Sequence, residues 1–226
     1  ENYKKNKDVI YNIFGDKEKI DLFLPRNYDK KIFNIHDTKN KILDTDSPLS
    51  AAKKGKDTSM WLTIQSLKDK KSHVAISAGN TGALFVISKL NLKMIENIDK
   101  PALSALWPNK NNFNVVLDLG ANIECNEKNL VDFSVMGSSL FKSLYPDEEA
   151  IVALLNIGSE ELKGNDVIKK AYQNLNNKKN KNFNFYGYIE GNNIMDGNVN
   201  VIVTDGFTGN IALKTAEGTA NFIVKE

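Results

Sequence analysis

Val199-Asn200-Val201-Ile202-Val203-Thr204-Asp205-Gly206-Phe207-Thr208-Gly209-Asn210 is the stretch whose reading decides the fold class of this chain. An apolar, β-branched run over 199–203 breaks into a polar loop with two glycines, and helical spacing follows from Asn210. A strand apolar on both alternating faces suits burial on both sides, as in a parallel sheet covered by helices. The same order recurs upstream. Residues 73–77 read as a strand, followed by Ala78-Gly79-Asn80-Thr81-Gly82 and a helix over 83–92. Residues 115–119 end in Gly120-Ala121-Asn122; 151–155 lead into Asn156-Ile157-Gly158 and a helix over 161–175; 183–186 precede Glu190-Gly191. Earlier, 9–14 and 16–24 look helical, 31–35 is an expected strand, 51–67 a helix, 98–101 a loop and 102–106 a further strand. Strands alternating with helices predict an α/β fold with a largely parallel sheet covered on both faces. Ligands in such sheets bind outside the carboxyl ends of the strands. Loops 78–82, 120–122, 156–165, 190–191 and 205–210 are therefore expected to converge on one rim.

The bulk numbers narrow the class. A chain of 226 residues, 41% hydrophobic and 26% charged, has the make-up of an ordinary globular protein. With no low-complexity linker or internal repeat, a single α/β domain is expected. No apolar stretch approaches the roughly 20 residues of a membrane span, and no signal-peptide pattern opens the chain. The single cysteine, Cys125, excludes an internal disulfide framework and fits a reducing cytoplasm. A net charge of +2 is too near neutral to argue for nucleic acid. Arg26 is the only arginine, so a bound phosphate must rely on backbone N–H groups and lysine point charges. The Lys/Asn-rich tracts 109–114 and 174–182 read as solvated loops. The chain opens at Glu1 without methionine and ends inside a helix expected from Asn210 to Glu226, so we expect a fragment of a longer protein.

Three loops could carry chemistry. In the loop around Ser77, Gly79, Asn80, Thr81 and Gly82, two glycines allow close backbone approach and a helix start favours an anion. It matches neither a Walker loop nor G-x-G-x-x-G, and the bland alternative is a turn with Ser77 or Asn80 as helix cap. Lys163, beside Gly164 and Asn165, stands where an ammonium can meet a phosphate or a developing oxyanion; the alternative is a solvated lysine. Asp205, Gly206, Gly209 and Asn210 form the most distinctive loop, in which Asn210 either caps a helix or turns its amide toward a carbonyl oxygen. Glu190 and Asp118, at other strand ends, are open between acid–base and structural roles. Cys125 lacks an evident activating base. With one cysteine and two distant histidines, His36 and His73, no zinc site is expected. Trp61, Trp107 and the aromatics of 183–188 read as packing residues.

With these loops in view, the chain closely resembles the PlsX family of phosphate:acyl-[acyl carrier protein] acyltransferases from about Asp46 to Glu217. The motifs run in order: Lys53-Lys54-Gly55-Lys56-Asp57-Thr58-Ser59-Met60, Ser77-Ala78-Gly79-Asn80-Thr81-Gly82-Ala83, Lys100-Pro101-Ala102-Leu103 and Leu117-Asp118-Leu119-Gly120-Ala121-Asn122. Met136-Gly137-Ser138, Leu154-Leu155-Asn156-Ile157-Gly158, Lys163-Gly164-Asn165, Glu190-Gly191, Asp205 to Asn210 and Leu213-Lys214-Thr215-Ala216-Glu217-Gly218 complete them. The resemblance implies a Rossmann-like three-layer α/β/α sandwich with a mostly parallel sheet, related to phosphate acetyltransferases and to isocitrate and isopropylmalate dehydrogenases. It also implies an acyltransferase that makes acyl phosphate from acyl carrier protein thioesters and inorganic phosphate for phospholipid synthesis. A homodimer is implied, without metal, nucleotide or other cofactor, cytoplasmic and transiently associated with the membrane surface.

On that resemblance Lys163 and Asn210 are the expected catalytic residues. Ser77, Gly79, Asn80, Thr81, Gly82, Asn122, Asn165, Glu190, Asp205, Gly206 and Gly209 are expected to bind phosphate or substrate. The sequence is expected to depart from the family in two respects: the family's N-terminal Asp-Ala-Met-Gly-Gly-Asp strand and its C-terminal part, where dimer and membrane contacts are expected, are not among these residues. In addition, an arginine usual before Pro-Ala-Leu is Lys100. Rival readings are a phosphate acetyl- or butyryltransferase using acyl-coenzyme A, a decarboxylating dehydrogenase of the same fold, and a non-catalytic scaffold that binds acyl carrier protein.

Overall fold

The computed structural model describes residues 8–177 and 182–225. Residues 178–181 of the Lys/Asn-rich tract and Glu226 of the expected last helix lie outside them. The chain divides into two compact units, residues 1–93 and 94–226.

The first unit carries a two-stranded parallel sheet, β1 (Tyr11–Gly15) beside β2 (Phe33–Asp37), and the helices α1 (Lys17–Asp21), α2 (Pro48–Lys53), α3 (Ser59–Lys68) and α4 (Thr81–Asn91). Its core is Ala51, Met60, Ile64, Ala83 and Ile87. Residues 9–14, expected to be helical, instead supply β1. Tyr11 stacks on Phe33 at 5.2 Å between ring centroids and Phe14 on His36 at 4.5 Å, so pairing with β2 outweighs the local pattern. The expected 51–67 helix is broken at Gly55, whose φ of +115° cannot belong to a helix. Separate caps start the two pieces: Ser47 accepts from Ser50 N–H, and Thr58 from Trp61 N–H. Residues 73–77 differ from expectation too, for among the described residues they join no ladder. Their β-branched pattern is that of a strand, but Val74 and Ile76 are 75% and 89% exposed with no described partner strand beside them.

The second unit is a five-stranded sheet in the order β3-β4-β7-β5-β6, formed by Ser104–Pro108, Phe113–Leu117, Val201–Val203, Ile151–Leu155 and Asn184–Ile189 respectively. All neighbours are parallel except β3 with β4. Alternation along the strands divides the core in two. Val115, Leu117, Val152, Leu154, Val201 and Val203 meet the helices α5 (Glu127–Leu144) and α6 (Asp166–Asn177) on one face. Val116, Ala153, Leu155, Ile189 and Ile202 meet α7 (Gly206–Lys225) on the other, through Ala212, Leu213 and Ala216. Three layers therefore form within this unit. The expected helices shift at their ends: α6 begins at Asp166 rather than 161, and α7 at Gly206 rather than Asn210. No described helix is long and apolar enough to cross a membrane.

Candidate functional site

Because β4, β7, β5 and β6 run parallel, their carboxyl ends share one edge of the second unit's sheet. The loops after them carry Asn122, Asp205, Lys163 and Glu190. Four of the five expected loops thus lie on this rim; loop 78–82 belongs to the first unit.

The loop after β4 is organised by Asp118, which is fully buried. One carboxylate oxygen accepts from the N–H groups of Leu103 (3.1 Å), Gly120 (3.2 Å) and Ala121 (3.0 Å). The other accepts from Asn122 N–H (2.8 Å) and Asn122 Nδ2 (2.7 Å). Five donors on one carboxylate make it a structural clamp; a group so occupied is not poised to abstract a proton. Asn122 spends its remaining amide hydrogen on the Pro101 carbonyl at 2.7 Å, so its side chain is also committed. Lys100 donates to the Glu124 carbonyl at 2.8 Å, a single-point contact that pins the far end of the same loop.

The first turn of α7 packs directly on this loop. Gly206 N–H donates to the Asn122 carbonyl at 2.8 Å, and a Cβ on Gly206 would lie 2.6 Å from that oxygen. A Cβ on Gly209 would collide with the Asp118 carbonyl. Both glycines are needed for this close approach. Asp205 caps the helix, accepting from Thr208 N–H and Thr208 Oγ1, each at 2.8 Å. Asn210 is therefore not the cap. It lies exposed on the first turn, over Gly120, whose φ is +126° and where a Cβ would come 3.3 Å from Asn210 Nδ2. The close packing brings Asn210 together with Gly120, Asn122, Gly206 and Gly209, and leaves the amide without a described hydrogen-bond partner.

After β5, the chain folds back on Asn156, whose Nδ2 donates to the Lys163 carbonyl at 3.1 Å. Gly164, at φ +92°, makes the turn possible. Asn165 Oδ1 caps α6 by accepting from Ile168 N–H at 3.0 Å. This fold-back presents Lys163 on the surface, where it forms no ion pair with a described residue. The sequence places Asn156 in this loop and in the 154–158 motif but gives it no role; an amide nine residues before an asparagine cap gives little local signal of the fold-back. Glu190 precedes a 3₁₀ turn over Gly191–Asn193 without capping it.

Between the β4 and β7 loops and the start of α6 lies a cleft of about 330 Å³, lined among others by Cys125, Leu130, Asn165, Val167, Ile168 and Asp205. Burial, the largest cause, pushes the Cys125 thiol up; Asp118 and Asp205 add to this, while the Gly206 N–H and Lys100 oppose it. A raised thiol pKa disfavours the thiolate and hence nucleophilic attack.

In the first unit, Asn80 is a structural hub. Its Oδ1 accepts from Ala83 N–H at 2.9 Å, capping α4, and its Nδ2 reaches the carbonyls of Asp44 (3.1 Å) and Asp46 (2.9 Å). Ser77 Oγ accepts from Gly79 N–H at 3.3 Å. A Cβ on Gly82 would lie 2.8 Å from Pro48 Cγ, so this glycine lets α2 approach α4. Thr81 is the first residue of α4.

Comparison with known proteins follows the same lines. The profile of the family described as fatty acid synthesis protein matches residues 2–225. A phosphate acyltransferase from Pelagibacter ubique is 70% identical over 224 residues, covering 99% of this chain and 67% of its own length. One from Maricaulis maris is 42% identical over 219 residues, covering 96% of this chain and 62% of its own length. The chain thus spans roughly two-thirds or less of these relatives. Among solved structures, a phosphotransacetylase from Streptococcus pyogenes aligns over 97% of this chain and 76% of its own, with a TM-score of 0.68 at 16% identity. The EutD phosphotransacetylase from Staphylococcus aureus aligns over 97% and 77%, with a TM-score of 0.63 at 15% identity. These two structures speak to the fold, a mostly parallel α/β sheet in three layers. Matched along nearly its whole length, the chain belongs to the fatty acid synthesis protein family, the PlsX-type phosphate acyltransferases.

Proposed function

We propose that the protein containing these residues transfers an acyl group from acyl carrier protein to inorganic phosphate, and that the acyl phosphate feeds phospholipid synthesis. The observation that carries this reading is the 70% identity to a phosphate acyltransferase across 99% of the chain. In the proposed reaction a phosphate oxygen attacks the thioester carbonyl, forming a C–O bond. The tetrahedral intermediate then expels the carrier's thiolate, which takes up the proton that monohydrogen phosphate gives up. Phosphate is already anionic near neutral pH and a thiol has a pKa of roughly 8.5, so neither step demands a strong base or acid. What the protein must supply is positioning and charge stabilisation.

The site residues suit that task. Asn210 holds an exposed amide over the Gly120 turn and polarises the carbonyl; Lys163, free of ion pairs among the described residues, stabilises the phosphate or oxyanion charge. Asn122, Gly206, Gly209, Asp205 and Asn165 act by holding Asn210 and Lys163 in place, and Glu190 borders the same rim. Within the first unit, loop 78–82 offers backbone N–H groups at the start of α4 to a phosphate. The route requires no metal or nucleotide. We further propose a homodimer that associates transiently with the membrane from the cytoplasm; mass measurement in solution and vesicle flotation test these two points.

The deciding experiment is a turnover assay on the full-length protein with long-chain acyl carrier protein and phosphate, the product being trapped by hydroxylamine. Phosphate-dependent trapping that fails with short acyl-coenzyme A supports the reading. Efficient turnover of acetyl-coenzyme A would replace it with a phosphotransacetylase activity, and carrier binding without turnover would replace it with the scaffold.

A further inference from the structure

We propose that Asp118 is a positioning residue for acyl transfer, setting the place of the Asn210 amide through the loop it clamps. This rests on the reading of Asn210 given above and names what holds that amide in register.

The two carboxylate oxygens have separate tasks. Oδ1 accepts from the N–H groups of Leu103, Gly120 and Ala121, tying the turn after β4 to the approach to β3. Oδ2 accepts twice from Asn122, once from its N–H and once from its Nδ2. The same short loop meets the first turn of α7 at three points. The Asn122 carbonyl accepts from Gly206 N–H at 2.8 Å, and the Asp118 carbonyl occupies the place a Cβ on Gly209 would take. At the third point a Cβ on Gly120 would come 3.3, 3.4 and 3.5 Å from Nδ2, Cγ and Cβ of Asn210, so that side chain rests on bare Gly120 backbone. Both oxygens of Asp118 thus reach the helix that carries Asn210, Oδ1 through Gly120 and Oδ2 through Asn122. The strands supply a fixed base. Asp118 N–H donates to the Thr204 carbonyl at 3.1 Å, and Thr204 N–H to that of Leu117 at 2.8 Å.

The Asn210 amide has no described hydrogen-bond partner of its own, so its place follows from packing on Gly120 and from where α7 begins. A donor to a developing oxyanion has to be held within about 0.5 Å of its productive position. Misplacement by about 1 Å costs roughly 10²-fold in rate. The relay also explains the need for a carboxylate rather than an amide at 118. An amide has a single acceptor oxygen. Turned to keep the three bonds of Oδ1, it would present its NH₂ group to the two donors of Asn122. Asp118→Asn therefore loosens the Asn122 half of the clamp, the half that grips Gly206.

A double-mutant cycle on the full-length protein tests the assignment, reading acyl phosphate formed from palmitoyl-carrier protein and phosphate. Asp118→Asn is expected to lower kcat by about 10–100-fold while KM for phosphate and for the carrier stays within about threefold. In the Asn210→Ala background the same substitution is expected to change kcat by less than about twofold, since no amide remains to misplace. A fall of similar size in both backgrounds would overturn the proposal, because a general loss of folded protein acts on both alike. Asn122→Ala keeps the backbone bonds and serves as the milder companion if Asp118→Asn does not fold. Additivity with Asn210→Ala in that variant would equally overturn the relay.

Crystal structures of the unaltered and Asp118→Asn proteins give a readout that needs no turnover. The Asn210 amide is expected to move by at least about 0.5 Å relative to β4 and β7. An unmoved amide overturns the relay whatever the activity. Near-normal turnover by Asn210→Ala would remove Asn210 from the mechanism, and the relay with it, while leaving acyl transfer intact. Absence of acyl phosphate from the unaltered protein would instead sink the acyl-transfer reading, and the two crystal structures would still report on the relay.

Discussion

Asp118 holds five N–H donors and makes no ion pair with a described residue, so its contribution is the satisfaction of buried backbone groups. Asp118→Ala would strand those donors at a cost on the order of 3 kcal/mol or more, read as a fall in the denaturation midpoint. A change below about 1 kcal/mol would mean that water replaces the carboxylate. Lys163 and Asn210 belong to a different category, being exposed and uncommitted. Lys163→Ala and Asn210→Ala are each expected to lower kcat by about 10²–10³-fold with little effect on stability. Near-normal turnover in either variant removes that residue from the mechanism. Cys125 shows the pH sign of burial. Its folded pKa lies above the unfolded value, so its stabilising effect is complete below roughly pH 8.5 and is lost as pH rises through the folded pKa. Alkylation of Cys125 should accordingly be slower than that of a free thiol at pH 7.5 and accelerate at higher pH than a free thiol does. A rate matching glutathione at pH 7.5 would contradict the burial argument. The sequence showed the carboxylate of Asp118 but not its role, because five of its bonds depend on how the chain turns after β4.

Helix placement shows how far local pattern reaches. Residues 151–155 are a strand as expected, and α4 lies within two residues of its expected bounds, because periodicity and cap agree there. Helix α5 is not expected from the sequence pattern. Its buried stripe includes Ser134, Gly137 and Ser138 among Leu130, Phe133 and Phe141, which weakens the hydrophobic contrast that marks a helix. Those small residues have a packing purpose. The serine hydroxyls bond back to the Leu130 and Val135 carbonyls, and a Cβ on Gly137 would come 2.6 Å from Val201 Cγ1 and 2.8 Å from Leu117 Cδ2. Gly137→Ala should therefore destabilise by about 1–3 kcal/mol through overpacking, although alanine is the better helix former. Stabilisation in a thermal melt would show that the helix relaxes away from the sheet at little cost. Gly209→Ala is a sharper case, since the colliding group is the Asp118 backbone carbonyl rather than a side chain that can rotate.

Across the molecule, two compact units have separate cores, the second built on both faces of its sheet. Phe133, fully buried in the cluster under α5, should cost about 3–5 kcal/mol on truncation to alanine. Hydrogen exchange should then quicken in β4, β5 and β7; unchanged exchange there would place the cooperative core elsewhere. The sequence by itself determined the α/β class, the parallel strands within 115–119, 151–155 and 199–203, the loops on their carboxyl ends and the family, because apolar runs, glycines and motif order are local properties. Only the tertiary structure decided that 9–14 contributes a strand, that 73–77 joins none among the described residues, that Asp205 rather than Asn210 caps α7, and that Asp118 is a clamp. Each of those depends on which distant backbone group comes within hydrogen-bond reach or which side chain finds a neighbour to stack on, and neither is encoded in a short window of residues.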